Sequence, residues 1–294
     1  MSSMEAKWRW VLITAIAPVA WGANYYVTAR YLPADHPLFG AAVRALPAGC
    51  LLLALCRTLP RGAWWWRSAV LGLLNTSAFF VLVYMASQLL ASSVAATIMA
   101  LSPPAMMLAA WALLAERPRP AHVAGALTGL AGVCLMVLAG SDTASVPGVL
   151  ASVGAMLASS LGYVLAKRWG GGTAVLASTA WQLVAGGLLL LPAAVVVEGP
   201  PALGVPALLA FGYVTLVATA LAFAAWFTGL RHLPAGTVGL VGLLNPVTGV
   251  LLGTQLAGES LTARQACGIA LVLAGILLGQ RPAPARGARA PAAT

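Results

Sequence analysis

Long apolar runs separated by short polar loops follow one another from the first residues of the chain almost to its end. A transmembrane helix needs about 20 consecutive apolar residues to cross a hydrocarbon core of about 30 Å. The runs have this length, and the loops leave no room for a soluble domain between them. We therefore predict an all-α integral membrane protein with ten transmembrane helices, over residues 8–29, 38–56, 66–87, 91–114, 121–140, 147–167, 173–196, 205–229, 234–257 and 263–280.

The composition also favours a membrane protein. Of the 294 residues, 61% are hydrophobic and 7% are charged, whereas a soluble domain carries about 25% charged residues. The net charge of +10 does not indicate a nucleic-acid partner. The basic residues stand singly or in small groups between apolar runs, as in the loops of membrane proteins. The lipid bilayer is therefore the expected surrounding of the chain.

The basic residues concentrate on one side of the predicted membrane. Ten spans place both termini on one side, which carries thirteen Lys and Arg residues against three on the other side. Cytoplasmic loops carry the excess of basic residues, so both termini are predicted to be cytoplasmic. Few Lys with many Ala, Gly and Arg suggest a GC-rich bacterial source, and hence the bacterial cytoplasmic membrane. The three exceptions are Arg30, Arg44 and Arg264.

The two halves of the chain are related by a shift of 143 residues, which superposes Pro103 on Pro246, Glu116 on Glu259, Gly125 on Gly268 and Gly132 on Gly275. Each half then holds five predicted spans. Because five is odd, the second half inserts upside down relative to the first, which is a common construction of secondary transporters. We predict a first five-helix repeat over 1–143, a second, inverted five-helix repeat over 144–281 and a disordered cytoplasmic tail over 282–294.

Proline motifs stand near the middle of spans 4 and 9. Pro103 follows Ser102, and Pro246 follows Asn245. Proline removes a helical N–H group and kinks a helix. We therefore predict that Pro103 and Pro246 are hinges along a substrate path, with Ser102 and Asn245 as candidate binding residues. A purely structural kink is the alternative, since proline is common in membrane helices.

Other polar and aromatic residues inside the spans are also candidate substrate-binding residues, because such side chains usually face the protein interior. Three of them share one face of span 1. Hydrogen bonding between helices is the alternative for each candidate. The candidates are Trp21, Asn24 and Tyr25 on span 1, and Arg44, Asn75, Tyr84, Tyr163, Trp181, Gln182 and Thr219 on later spans.

Charged residues in and at the ends of spans leave alternatives open. Arg44, the only charge clearly inside a span, can bind an anionic group such as a substrate carboxylate, or it can snorkel to the headgroups or pair structurally. Glu116 and Glu259 end spans 4 and 9. We predict that they anchor helix ends, with gating or proton coupling as the alternative.

Glycines in spans 5, 9 and 10 are predicted to allow close helix packing. They are Gly125, Gly129, Gly132, Gly249, Gly253, Gly268 and Gly275.

Several kinds of chemistry have no candidate residues. No Asp, Glu or His stands in the middle of a span, so a buried proton relay of the usual kind is not indicated. The chain has no G-x-x-x-x-G-K-[ST] motif for ATP-driven transport. Its four cysteines lie in or at the ends of apolar runs and form no zinc-binding pattern. We predict no catalytic residues, no metal, no cofactor and no enzymatic activity.

The chain resembles the EamA-type permeases of the drug/metabolite transporter superfamily over nearly its whole length. In the first half the resemblance is carried by APVAWGANYYVTARYL, PLFGAAVRALPAG and YMASQLLASSVAATIMALSPPAMMLAAWALLAER. In the second half it is carried by the central N-P, the G-E-S-L-T at the end of span 9 and the glycine-containing last span. The resemblance implies two inverted five-helix halves in which spans 1–4 and 6–9 surround a central cavity, with spans 5 and 10 outside.

These features together predict a secondary transporter that works by alternating access. The expected cargo is a small metabolite, such as an amino acid or a related amphiphile, and the resemblance implies export. A broad-specificity drug exporter and a membrane scaffold without transport are the alternatives. The sequence leaves open whether the protein is a monomer or a homodimer.

Overall fold

The computed structural model describes residues 3–33, 35–90, 95, 98–137, 145–257 and 262–280, and within these ranges the secondary structure is helical, without strands. The predicted tail and Glu259 lie outside the described residues. The helices, in chain order, are α1 Ser3–Tyr31, α2 Pro37–Cys56, α3 Trp64–Leu89, α4 Ser102–Leu114, α5 Pro120–Val137, α6 Val146–Trp169, α7 Val175–Glu198, α8 Val205–His232, α9 Ala235–Gly242, α10 Leu244–Ala257 and α11 Ala263–Gly279.

Six of these helices are long and apolar enough to cross a membrane, namely α1 over Lys7–Thr28, α2, α3, α6, α7 and α8. Helices α4, α5 and α11 are apolar but shorter. The ninth predicted span is divided between α9 and α10. The predicted class, an all-helical multi-pass membrane protein, is confirmed. The arrangement of ten spans in two inverted halves remains a prediction.

Three helices contain a wider, π-helical turn. These turns cover Leu73–Ala78 in α3, Leu216–Leu221 in α8 and Ala194–Glu198 at the end of α7. A π turn bonds residue i to i+5 and is frequent at functional sites. In α8, the carbonyl oxygen of Ala218 in this turn accepts a hydrogen bond of 2.9 Å from Trp21 Nε1, which fixes the indole of α1.

Glycines bring α5 and α11 into backbone contact, which confirms that glycines in these spans allow close helix packing. A β-carbon placed on Gly125 would lie 2.5 Å from the carbonyl oxygen of Gly275, and one on Gly275 would lie 2.5 Å from that of Gly125. A β-carbon on Gly132 would lie 2.6 Å from the carbonyl oxygen of Gly268. Real β-carbons do not approach a backbone oxygen this closely, so glycine is required at the crossing.

The other helices pack around a central space. Helix α1 lies against α8 and α10, α3 against α6 and α7, α4 against α6 and α9, and α2 against α7 and α8. Small residues line many of these contacts; a β-carbon on Gly72 of α3 would lie 2.6 Å from the backbone nitrogen of Gly186 in α7. Helices α5 and α11 pack mainly against each other, and α1, α2, α3, α4, α6 and α8 to α10 are left to surround the central space.

Charged side chains tie helix ends together at both ends of the bundle. We call the end that holds Lys7, Glu116 and Lys167 the basic end. There, Glu116 forms a 2.6 Å ion pair with Lys167 and accepts a 3.1 Å hydrogen bond from the first amide of α9, at Ala235. At the opposite end, the Glu198 carboxylate accepts hydrogen bonds from the first amides of α2. A carboxylate is favourable at a helix N-terminus; the predicted anchoring role of Glu116 is thereby confirmed.

Candidate functional site

A cavity of about 80 Å³ lies in the centre of the bundle. Residues from α1, α2, α3, α4, α6, α8, α9 and α10, and from the turn before α4, form its walls. They are Trp21, Asn24, Arg44, Phe79, Phe80, Val83, Met99, Ala100, Ser102, Pro103, Met106, Ser159, Tyr163, Trp226, Gly239, Gly242, Leu243, Asn245 and Pro246.

Both predicted proline hinges line this cavity. Pro103 lies in the first turn of α4, and Pro246 lies in the first turn of α10, after a break at Leu243. In a first helical turn the missing N–H of proline costs nothing, because that group has no partner within the helix. The chain therefore starts a new helix at each proline, where the sequence predicted a kink in the middle of a span. Their role as hinges remains a prediction.

Aromatic rings form one wall of the cavity. The ring of Trp226 lies 5.2 Å from that of Trp21 and 5.4 Å from that of Tyr163, centroid to centroid. Phe223 stands behind this wall, 5.6 Å from Trp21 and 5.8 Å from Phe80 in edge-on contacts. Such pairs are worth about 0.5–1.5 kcal/mol beyond the buried area. The wall is therefore rigid and apolar.

Two buried polar atoms on this wall have no hydrogen-bond partner among the described residues. They are Oδ1 of Asn24, an acceptor, and Nε1 of Trp226, a donor. Both side chains are buried, at 8% and 3% exposure. A buried polar group without a partner costs about 1–3 kcal/mol. A ligand that donates to Asn24 and accepts from Trp226 would remove this cost.

Arg44 stands at the edge of the cavity. Its guanidinium carbon lies 4.0 Å from the centre of the Phe80 ring, and its Nε donates a 3.1 Å hydrogen bond to Thr219 Oγ1. Arg44 and Phe80 also line a much smaller pocket, of about 10 Å³, on the side of the opposite end. Tyr84 lines that smaller pocket and donates its hydroxyl to the Pro33 carbonyl. Thr219 thus lies behind Arg44, and Tyr84 lies outside the central cavity.

Three predicted binding residues lie between helices and outside the cavity lining. Asn75 Nδ2 donates a 2.8 Å hydrogen bond to Gln182 Oε1 within the packed α3–α7 interface. Trp181 Nε1 donates a 2.7 Å hydrogen bond to the Thr58 carbonyl, in the loop after α2. The Asn75–Gln182 bond is of the interhelical kind that was the alternative for each candidate, whereas the Trp181 bond joins a helix to a loop. The side chain of Tyr25 lies outside the described residues.

Several lining residues were not among the sequence candidates, notably Phe79, Phe80, Met106 and Ser159. Ser159 lies one helical turn before Tyr163 on the same face of α6. Extending the Tyr163 face by one turn would have found it. The apolar residues have no such signal, because an apolar side chain inside a span can face a cavity, a neighbouring helix or lipid.

We expect Asn75→Ala to lower the free energy of unfolding by about 1–2 kcal/mol, because it leaves the buried Gln182 amide without its partner. The change leaves the cavity lining intact, so transport per folded molecule should be unchanged. SDS titration in mixed micelles measures the stability. In the Asn75→Ala/Gln182→Ala double variant, the free energy of unfolding should fall by less than the sum of the two single losses. Full additivity would contradict the pairing.

No group of three or more His, Cys, Asp or Glu side chains in the described part of the chain is placed to hold a metal ion. A bundle of membrane helices around a cavity with aromatic walls and a few polar groups is the architecture of a membrane transport protein. The model of the EamA-like transporter family matches residues 8–138 and 146–279, so the chain belongs to this family.

Relatives agree with this assignment. The chain is 34% identical to Protein PecM of Dickeya dadantii over 267 residues, which are 90% of each chain. It is 27% identical to the uncharacterized transporter YvbV of Bacillus subtilis, over 97% of this chain and 95% of the relative. It is also 27% identical to the uncharacterized inner membrane transporter YedA of Escherichia coli K12, over 88% and 87%.

Among the solved structures that share the fold is a crystal structure with a TM-score of 0.78 and 23% identity, over 92% of this chain and 96% of that chain.

Proposed function

We propose that the protein is a secondary transporter that exports a small metabolite, an amino acid or a related amphiphile, across the bacterial cytoplasmic membrane by alternating access. In this proposal, ten spans form two inverted halves, 1–143 and 144–281, and both termini are cytoplasmic. The basic end is then the cytoplasmic end, in keeping with the positive-inside rule. The observation that carries the proposal is the central cavity, with its buried and unpartnered Asn24 and Trp226 groups.

The helix contacts support the two inverted halves. If each helix is replaced by its counterpart in the other half, the α1–α8 contact becomes the α6–α3 contact, and the α1–α10 contact becomes the α6–α4 contact. The α2–α7 and α5–α11 contacts each map on themselves. The family model also matches the chain in two stretches, one in each half. A pattern that survives the exchange is what a two-fold axis in the membrane plane produces.

Two local features also support the inverted-repeat relation between the two halves. The π turns of α3 and α8 begin at Leu73 and Leu216, which are 143 residues apart, the shift that also relates Pro103 to Pro246. At the α5–α11 crossing, the contact of Gly125 with Gly275 becomes, after the shift, the contact of Gly268 with Gly132. Equivalent halves that differ in conformation can exchange their conformations, and one central site then opens to either side in turn.

The cavity chemistry supports a cargo of mixed polarity. Its aromatic wall suits an apolar body, while Asn24, Ser102 and Asn245 add polar groups at defined places. Binding sites of this kind take small amphiphilic molecules. Counterflow in proteoliposomes tests the proposal: vesicles are preloaded with unlabelled amino acids, purines, sugars or cationic dyes, and the entry of labelled tracer is followed.

Accumulation driven by one chemical class is the expected result and identifies the cargo. Accumulation driven equally by unrelated classes, dyes included, would favour a broad-specificity drug exporter. No accumulation with any class, from protein shown to be folded, would favour the scaffold.

We expect Asn24→Ala and Trp226→Phe each to raise the half-saturating substrate concentration about three- to tenfold, the effect of losing one hydrogen bond of about 0.5–1.5 kcal/mol. Trp226→Phe keeps one aromatic ring and removes the N–H donor together with the rest of the indole. Asn24→Ala should not lower the melting temperature, because Oδ1 of Asn24 has no partner in the described protein. Trp226→Phe should lower it, because the smaller ring leaves a void in the buried wall. Asn245→Ala is expected to lower flux in the same way. Unchanged kinetics in all three variants would remove these residues from the site.

A further inference from the structure

A second cavity, of about 420 Å³, opens at the basic end. We call it the basic pocket. Four of its lining residues are permanent cations, Arg117, Arg119, Lys167 and Arg231, and one is an acid, Glu116. The acid is paired, since Glu116 lies 2.6 Å from Lys167. The side chains of Arg117 and Arg119 are exposed. The pocket therefore has a net positive charge, and a small anion is the solute that it would concentrate.

The basic pocket lies directly next to the central cavity along the contact between α4 and α9. On α4, Met106 lines the central cavity and its neighbour Met107 lines the basic pocket. On α9, Gly239 lines the central cavity, and Gly236, one turn earlier, lines the basic pocket. The two cavities are thus separated by about one helical turn of packed side chains.

A further cation stands at the other boundary of the central cavity. Arg44 lines both the central cavity and the small pocket beyond it. A solute in the central cavity can therefore meet the Arg44 guanidinium on the side toward the opposite end. Glu116 is the only acid that lines any of these three cavities in the described part of the chain.

We propose that the transported molecule is an organic anion with an aromatic or apolar body, and that the basic pocket is its entrance vestibule. The proposal rests on the function proposed above and specifies its substrate class. The positive-inside rule accounts for cations at the basic end in general, but it does not account for Arg44, which stands within a span at the edge of the central cavity. The cations along the route and the aromatic wall select together for charge and for an apolar body.

The choice of an anion also gives export a driving force without a coupled ion. A cytoplasm that is electrically negative expels an anion through any carrier that conducts it. The spans contain no mid-span Asp, Glu or His for a proton relay, and an anion exporter does not need one.

Binding of three probes with the same body and fixed, different charges tests the proposal. The probes are 3-phenylpropane-1-sulfonate, the corresponding neutral sulfonamide, and trimethyl(3-phenylpropyl)ammonium. Affinity is measured on the full chain in nanodiscs of phosphatidylcholine, whose headgroups have no net charge. We expect the sulfonate to bind about tenfold more tightly than the ammonium probe, with the sulfonamide between them. This assay measures binding and is therefore independent of the counterflow result.

Charge variants locate the effect. Arg44→Gln should weaken sulfonate binding about tenfold and leave sulfonamide binding unchanged, whereas Arg44→Lys should retain the preference for the anion. The double variant Arg117→Gln/Arg119→Gln should slow sulfonate association about three- to tenfold and reduce its salt dependence. Arg61→Gln is the control, because Arg61 is an exposed cation outside the basic pocket.

An ammonium probe that binds as tightly as the sulfonate, or equal binding of all three, would overturn the anion proposal while leaving the transporter proposal to the counterflow assay. Absence of binding by all three probes, to protein with an intact thermal transition, would overturn it as well. Accumulation of an anionic tracer in counterflow together with the expected order of affinities would support both proposals.

Discussion

Gly275→Ala is expected to lower the free energy of unfolding by about 2–3 kcal/mol, among the largest losses for the addition of one carbon to this protein. The new β-carbon would lie 2.5 Å from the carbonyl oxygen of Gly125, a backbone atom that cannot rotate away. Helices α5 and α11 would have to separate, and the contacts along their whole crossing would loosen. SDS titration in mixed micelles measures the loss.

Gly212→Ala is the matched control, because it is the same exchange in the middle of another helix. A β-carbon on Gly212 of α8 meets no atom within 4 Å. Alanine is a better helix former than glycine by about 1 kcal/mol, so this variant should be neutral or slightly more stable. Equal losses for Gly275→Ala and Gly212→Ala would contradict the backbone contact.

The contact between Gly125 and Gly275 also predicts that the energetic effects of substitutions at the two sites are coupled. Gly125→Ala alone should cost about as much as Gly275→Ala, because each β-carbon meets the other residue's carbonyl. Once the helices have separated for one substitution, the second needs little further movement. The free energy of unfolding should therefore fall by clearly less in the double variant than the sum of the two single losses. Additive losses would show that the two sites are independent.

The helices and the glycine positions that allow close packing could be predicted from the sequence, because both depend on position along one chain. Span length follows from the thickness of the hydrocarbon core, and a glycine marks a place where a β-carbon has no room. The shift of 143 residues even relates the glycines of α5 to those of α11, although it does not say that they touch. Their contact follows only when the two helices are seen to cross.

The binding residues could be predicted only in part, because depth in the membrane can be read from a sequence but direction cannot. Asn24 and Asn75 are both amides within a predicted span. Asn24 lines the cavity with a free acceptor, whereas Asn75 bonds to Gln182 between two helices. The partner is 107 positions away in the chain, so no local pattern distinguishes the two amides.

The second prediction with a large expected effect follows from the proposal of alternating access. If the α4–α9 contact closes the central cavity toward the basic pocket, a covalent bond across it should stop exchange. A β-carbon on Gly239 would lie 3.4 Å from the β-carbon of Pro103, close to the separation of about 3.5–4.5 Å found in disulfides. Gly239→Cys together with Pro103→Cys should therefore form a disulfide on oxidation. The background must lack the native free cysteines Cys50, Cys56, Cys134 and Cys267.

We expect oxidation of this double variant to reduce counterflow to the level of empty vesicles, and reduction to restore it. The reduced double variant controls for loss of the proline, and each single variant under oxidant controls for other oxidation. The effect is large because the cross-link blocks a required opening, whereas a binding-site change only weakens affinity. If the oxidised protein, shown to be fully cross-linked, still exchanged substrate at the reduced rate, the α4–α9 contact would not be the barrier. The route between the central cavity and the basic end would then have to pass between other helices, and the basic pocket could not be its entrance.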